Sequence, residues 1–235
     1  MIHLENVSLF YENFQALKSI TATIPPASIT GLAGINGAGK SSLIKSMLGL
    51  LPEFDGEITI AGHHVKNERQ WIKRHCNYAP EETELFDYLS GFEFLQFVAV
   101  LHQVKDVSKA IEQMANLFEM NDFLPFLIDE YSHGMRQKML LSAALINQPD
   151  YLFIDEAING LDTLSLFRFK DYLFDLKRSG TTIVIASHVL PILSDWCDQI
   201  MIIHQGEMLN ILSKEEIQSD GRPLESIFIE LISKH

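Results

Sequence analysis

Gly34-Ile35-Asn36-Gly37-Ala38-Gly39-Lys40-Ser41 decides the fold of this chain. The stretch fits the phosphate-binding pattern G-x-x-x-x-G-K-[ST] and follows directly on the apolar run Ser28 to Ala33. An apolar strand, a glycine-rich turn and a helix over Lys40 to Leu51 are the context that this pattern needs. Glycines let the backbone curl until successive N–H groups point at one anion. The helix that follows adds the positive end of its dipole at the same place. Lys40 is placed to reach the β- and γ-phosphates of a nucleoside triphosphate, and the Ser41 hydroxyl to complete a Mg²⁺ shell. Gly34, Ile35, Asn36, Gly37, Ala38, Gly39 and Ser42 complete the candidate binding loop. A turn that bound nothing would need neither Lys nor Ser at those two positions.

Outward from the loop, the 235 residues suffice for one sizeable α/β domain, or for one core with an inserted subdomain. With 47% apolar residues, a full hydrophobic core is expected and disorder is not. A formal net charge of −13 argues against a surface that grips nucleic acid. Cys76 and Cys197 are far apart and form no metal or redox spacing, so they read as reduced thiols of a cytosolic protein. The N-terminal residues do not resemble a secretion signal, and no apolar run approaches the ~20 residues that span a bilayer.

Three zones follow along the chain. Short strands surround the phosphate loop at His3 to Tyr11, Leu17 to Ile24, Ser28 to Ala33, Gly56 to Ala61 and Asn77 to Ala79. From about Leu85 to Asn147 helical periodicity takes over. Val107, Ile111, Met114, Leu117 and Phe118 share one helical face, and Phe94, Phe97, Val98 and Leu101 another. Strand and helix then alternate again, with apolar runs at Tyr151 to Asp155, Thr181 to Ser187 and Ile200 to His204 and a helix over Leu164 to Lys177. This is an α/β nucleotide-binding core with an inserted helical subdomain. His63-His64 and Lys73-Arg74-His75 read as a turn and a solvated helix face rather than as a metal or anion site.

Tyr151-Leu152-Phe153-Ile154-Asp155-Glu156 carries the second element of chemistry. An apolar strand ends there in two adjacent carboxylates. Asp155 can hold the Mg²⁺ shell opposite Ser41. Glu156 is the candidate general base for a water aimed at the γ-phosphate.

A third element, Tyr131-Ser132-His133-Gly134-Met135-Arg136-Gln137, precedes the acidic pair. With it the chain resembles the nucleotide-binding subunits of ATP-binding cassette (ABC) transporters, whose signature loop reads Leu-Ser-Gly-Gly-Gln. The resemblance implies that Ser132 and Gly134, at a helix start from about Met135, bind the γ-phosphate of ATP held by an opposite protomer. Read without the family, the same residues make a plain helix cap equally well. Tyr11 matches the aromatic that stacks on adenine. Tyr78-Ala79-Pro80-Glu81-Glu82 stands in the place of the glutamine loop, with Glu81 where many members carry Gln. Gly160-Leu161-Asp162 resembles the loop that links the two sites of the dimer, and His188 the switch histidine on the γ-phosphate. The loop departs from the family at His133 and Met135, and Ala157-Ile158 stand where Pro and Thr are usual.

The resemblance covers most of the chain and implies one ABC ATPase domain over 1–235. It would hold a P-loop NTPase (RecA-like) core at about 1–84 and 148–210, an antiparallel β subdomain, a helical subdomain at about 85–147 and a tail at about 211–235. It further implies ATP and Mg²⁺ as cofactors and catalytic roles for Lys40, Glu81, Glu156 and His188. Expected partners are a second copy in an ATP-sandwich dimer and a polytopic membrane permease, with no direct nucleic acid. The expected location is the cytoplasmic face of the membrane, as a peripheral subunit. Variations in the signature and glutamine loops, and the tail Pro223 to Phe228, resemble a bacterial subgroup that serves ABC-2-type exporters. Leu85, Phe86 and Tyr88 are candidates for docking the permease, and equally for ordinary core. A soluble ABC protein of translation or DNA repair is the alternative, disfavoured by a single compact cassette and by acidity. A small-molecule P-loop kinase is disfavoured too, since it needs no such set of loops.

Overall fold

The computed structural model describes residues 1–51, 53–81 and 85–235. Strands β1 (Ile2–Tyr11) and β2 (Phe14–Ile24) form a hairpin, and β3 (Ile29–Ala33) leads through the glycine-rich loop into α1 (Lys40–Met47). Then come β4 (Asp55–Ile60), β5 (His63–His64), α2 (Arg69–His75) and β6 (Cys76–Ala79). Three helices follow, α3 (Gly91–Leu101), α4 (Val107–Phe118) and α5 (His133–Leu145), with a 3₁₀ turn at Ile128–Glu130. The chain returns to alternation with β7 (Tyr151–Asp155), α6 (Thr163–Arg178), β8 (Thr182–Ser187), α7 (Leu190–Trp196) and β9 (Gln199–His204). β10 (Glu207–Ser213), α8 (Lys214–Asp220) and α9 (Leu224–Ser233) close it.

Two sheets result. One is antiparallel in the order β2-β1-β4-β5; the other runs β10-β9-β3-β8-β7-β6, parallel except for β10. β3, β7 and β8 are buried along their whole length, as apolar runs covered on both faces must be. Side-chain alternation splits them between two cores. Ile29, Leu152, Ile154, Ile183 and Ile185 point into a core shared with α3 to α7 and α9. Leu32, Phe153, Val184, Met201 and Ile203 point to the other side, where Leu43, Ile44 and Met47 of α1 pack between the two sheets. The phosphate loop thus sits at the carboxyl end of a central strand, between a rigid sheet and a buried helix.

Several boundaries differ from expectation, and three of the shifts have a local reason. α1 stops at Met47 rather than Leu51, because the backbone turns left-handed at Gly49 (φ +62°). α5 starts at His133 rather than Met135, because the Ser132 hydroxyl accepts the Met135 N–H and makes Ser132 the N-cap. β10 runs across residues 210–211, where the tail was expected to begin, and adds an antiparallel edge to the sheet. His63 and His64 form the short β5. His63 and His75 stack on opposite sides of Trp71, with ring centroids 4.0 and 4.2 Å away. No group of three metal-ligating side chains occurs among the described residues. Both cysteines are free and buried.

Candidate functional site

The loop between β3 and α1 borders a cleft of about 390 Å³ lined by Tyr11, Phe14, Ala16, Asn36 to Ser42, Glu81 and Glu156. Glycine is required at two of its positions. A Cβ on Gly34 would lie 2.6 Å from the Ile203 carbonyl oxygen. Gly39, at φ +110°, would meet the Ala16 carbonyl oxygen at 2.8 Å. As N-cap of α1, Gly39 offers no side chain to the helix, and its first turn holds no acidic residue. The N–H groups of that turn therefore open on the cleft unpaired by any cap, which suits an anion.

Lys40 is buried and its ammonium is tightly held. Nζ donates to the Gly34 carbonyl at 2.7 Å and to the Ile35 carbonyl at 3.3 Å. It also lies 3.0 Å from Glu156 Oε1. Gly34 and Ile35 therefore act on the cleft through Lys40 and do not line it. Ser41 Oγ donates to Asp155 Oδ1 at 3.0 Å, and the Tyr78 hydroxyl donates to Asp155 Oδ2 at 3.1 Å. Burial raises the Asp155 pKa above the usual carboxylate value despite these two bonds, and raises that of Tyr78 as well. Ser41 and Asp155 together form a pair of hard oxygen donors beside the cleft, the donor type that Mg²⁺ takes.

Glu156 follows β7 with φ +56°, a left-handed conformation seldom adopted by a residue with a side chain. Its N–H bonds to the Ala186 carbonyl at 3.0 Å, and the Asn159 N–H bonds back to its own carbonyl at 3.2 Å. Oε2 accepts from Asn159 Nδ2 at 3.0 Å and from the His188 backbone N–H at 3.3 Å, while His188 Nδ1 lies 2.9 Å away. Oε1 is buried and ion-paired with Lys40 Nζ at 3.0 Å, with no hydrogen bond to it. Burial pushes the Glu156 pKa up. The bonds from Asn159 and the Lys40 ammonium outweigh it, so the carboxyl titrates below its ordinary value. A glycine cradle, an uncapped helix start and a buried ammonium fit a nucleoside triphosphate.

The remaining sequence candidates are spread over several places. Tyr11 lies at the cleft with its hydroxyl 3.4 Å from Ser42 Oγ, and Glu81 lines it from an exposed position. His188 reaches the cleft through Glu156. Ser132 and Gly134 do not line the cleft and stand at the start of α5, where Gly134 packs on the Gly160 carbonyl. Leu85 is buried in the core, whereas Phe86 and Tyr88 are exposed and stacked at 5.9 Å. Glu82 lies outside the described residues. Sequence reasoning missed Tyr78 as the partner of Asp155, Asn159 on Glu156, Phe14 in the cleft, and Gln137, whose Nε2 donates to the Ala157 carbonyl at 2.7 Å.

Residues 17–159 match the family model described as ABC transporter. The chain is 30% identical over 232 residues to the uncharacterized ABC transporter ATP-binding protein YdbJ of Bacillus subtilis (strain 168), covering 98% of this chain and 74% of that protein. It is 30% identical over 224 residues to the bacitracin transport ATP-binding protein BcrA of Enterococcus faecalis, covering 94% and 71%. A solved structure of an ATP binding subunit of an ABC transporter superposes with a TM-score of 0.91 at 25% identity, over 98% of this chain and 99% of that one. The chain belongs to the ABC transporter family, as an ATP-binding subunit with the ABC ATPase fold. It is an ATPase, and no described helix is long and apolar enough to cross a membrane.

Proposed function

We propose that the chain binds and hydrolyses ATP on behalf of a separately encoded polytopic permease of the ABC-2 kind, as a peripheral subunit on the cytoplasmic face of the membrane. The observation that carries the proposal is the set around Glu156. A buried carboxylate shares the cleft with the phosphate loop and is ion-paired with the Lys40 ammonium there.

In this reading Lys40 and the N–H groups of Gly37 to Ser42 hold the phosphates, and Tyr11 packs on the base. Ser41 and Asp155 would hold Mg²⁺, which when bound neutralises phosphate charge. Glu156 takes a proton from water as the water oxygen bonds to the γ-phosphorus. The bond from that phosphorus to the bridging oxygen breaks, and its electrons leave with ADP. His188 steadies the γ-phosphate, and Glu81 sits where it can touch the metal or the water. The cleft lacks any contact from Ser132 and Gly134, which suits their binding the nucleotide of a second copy. ATP then closes a two-fold dimer, and its hydrolysis, which leaves two anions, loosens it.

Export is the favoured direction, supported by the likeness to a bacitracin transport protein. Phe86 and Tyr88, exposed just beyond Glu81, are the docking residues for the permease; Leu85 is not. The test is affinity capture with Glu156→Gln and ATP from detergent-solubilised cells. Recovery of one polytopic membrane protein is expected. Recovery of ribosomes or DNA-processing proteins without one would overturn the transport assignment.

A further inference from the structure

Glu156 has two carboxylate oxygens in opposite circumstances. An ionised carboxylate can only accept hydrogen bonds, so each nitrogen around Oε2 is a donor. Three converge there: Asn159 Nδ2 at 3.0 Å, His188 N at 3.3 Å and His188 Nδ1 at 2.9 Å. Oε1 is buried and accepts no hydrogen bond. The carboxylate is thus clamped by hydrogen bonds at one oxygen, while the other has only the Lys40 ammonium beside it, at 3.0 Å without a hydrogen bond.

The residues that form the clamp are not equivalent. The His188 side chain is half exposed and has the γ-phosphate as its proposed partner, so its ring bond is the one that ATP draws away. Asn159 makes no other side-chain hydrogen bond among the described residues. It sits three residues beyond Glu156, in a turn closed by its own N–H on the Glu156 carbonyl at 3.2 Å. The back of the same loop is held by buried Gln137, through the Ala157 carbonyl at 2.7 Å. The Asn159 amide is therefore kept in reach of Oε2 whether or not the His188 ring stays.

We propose that Asn159 is a positioning residue for hydrolysis. Its side-chain amide fixes Oε2 of Glu156, so that Oε1, released once Lys40 turns to the phosphates, is the oxygen that faces water and takes its proton. The proposal rests on Glu156 being the base. Free rotation of the carboxylate would misplace that oxygen, and a misplacement of order 1 Å costs roughly 100-fold in rate.

Steady-state ATPase kinetics of Asn159→Asp, Asn159→Ala and Glu156→Gln test it together, with ADP affinity and thermal melting as controls for folding. Asp keeps the shape of Asn but replaces the donor with a second carboxylate. A packing role would leave Asn159→Asp close to wild type and Asn159→Ala impaired. The positioning role gives the reverse order: Asn159→Asp falls at least as far as Asn159→Ala. Both should lose roughly 10- to 100-fold in kcat with KM within about twofold, the signature of an interaction used in the transition state. Asn159→Ala alone carries that expectation if the Asp variant does not fold. Wild-type kcat in Asn159→Asp, or a loss confined to KM, would overturn the proposal while an inactive Glu156→Gln left the base assignment standing. Full activity in Glu156→Gln would overturn both.

Discussion

Lys40 and Glu156 form a buried ion pair in the nucleotide cleft, with Nζ 3.0 Å from Oε1 and side chains 5% and 6% exposed. The ammonium expected to hold phosphate is thus balanced, before any nucleotide arrives, by the carboxylate expected to activate water. Removing one partner of a buried pair strands the other, at a cost of about 3–5 kcal/mol. Lys40→Ala should therefore lose ADP and ATP binding by calorimetry and also lower the unfolding free energy of the nucleotide-free protein by that order. Retained affinity would remove Lys40 from the phosphate site.

Ser132 separates two roles that coincide in one side chain. It caps α5 through the Met135 N–H at 3.3 Å, and it stands apart from the cleft of its own subunit. Ser132→Ala should cost about 1 kcal/mol of stability as a lost cap. ADP affinity should be unchanged, whereas ATPase activity should fall by roughly tenfold or more, about 1.4 kcal/mol per decade. Full activity with lowered stability would leave Ser132 as a cap and nothing else.

Tyr11 and Phe14 both border the cleft from the β1–β2 hairpin. Stacking of a base on an aromatic ring is worth about 1–3 kcal/mol. Tyr11→Ala should weaken ATP by that amount. Tyr11→Phe should bind nearly as the wild type, since the contact of its hydroxyl to Ser42 is long at 3.4 Å. If Phe14→Ala shows the larger loss in equilibrium binding, the base lies on Phe14.

Asp162 ties the start of α6 to α5. Its Oδ1 accepts the Ser165 N–H at 2.8 Å, and Lys138 Nζ lies 2.8 Å from its Oδ2. The Lys138 hydrogen bond, then the Ser165 N–H, hold its pKa below the ordinary value. A carboxyl lowered on folding stabilises above its unfolded pKa and loses that contribution as pH falls through the folded one. Asp162→Asn keeps a good cap but loses the ion pair, which at a half-exposed carboxylate is worth at most about 1 kcal/mol. The gap between wild type and variant in urea unfolding should be present at pH 7 and close below about pH 4. A gap independent of pH would assign the effect to the cap.

Legibility in the sequence followed the range of the interactions. The phosphate loop, the β7 strand and its acidic end are local patterns, and they appear where the sequence placed them. The bond from Tyr78 to Asp155 depends on β6 lying beside β7 with Tyr78 opposite Phe153, a pairing between segments far apart in the chain. Nothing in Tyr78 alone announces it. Asn159 was closer to legible, three residues from Glu156, yet its reach depends on the left-handed backbone of Glu156. β10 escaped notice because its apolar residues come in pairs, Met208-Leu209 and Ile211-Leu212, split by Asn210, which is neither strict alternation nor the continuous run of a central strand. Phe14 lay outside the expected strand, which began at Leu17, and only the longer β2 brings it to the cleft.

ATP, held in the cleft and cut with the help of Glu156, should close two copies of this chain into one assembly. Sedimentation equilibrium of Glu156→Gln, with Mg²⁺ and either ATP or ADP, tests it most directly. The expected result is a dimer with ATP that retains uncleaved nucleotide, and a monomer with ADP. A monomer that binds ATP and still turns it over would rule out both the ATP-closed dimer and Glu156 as the base.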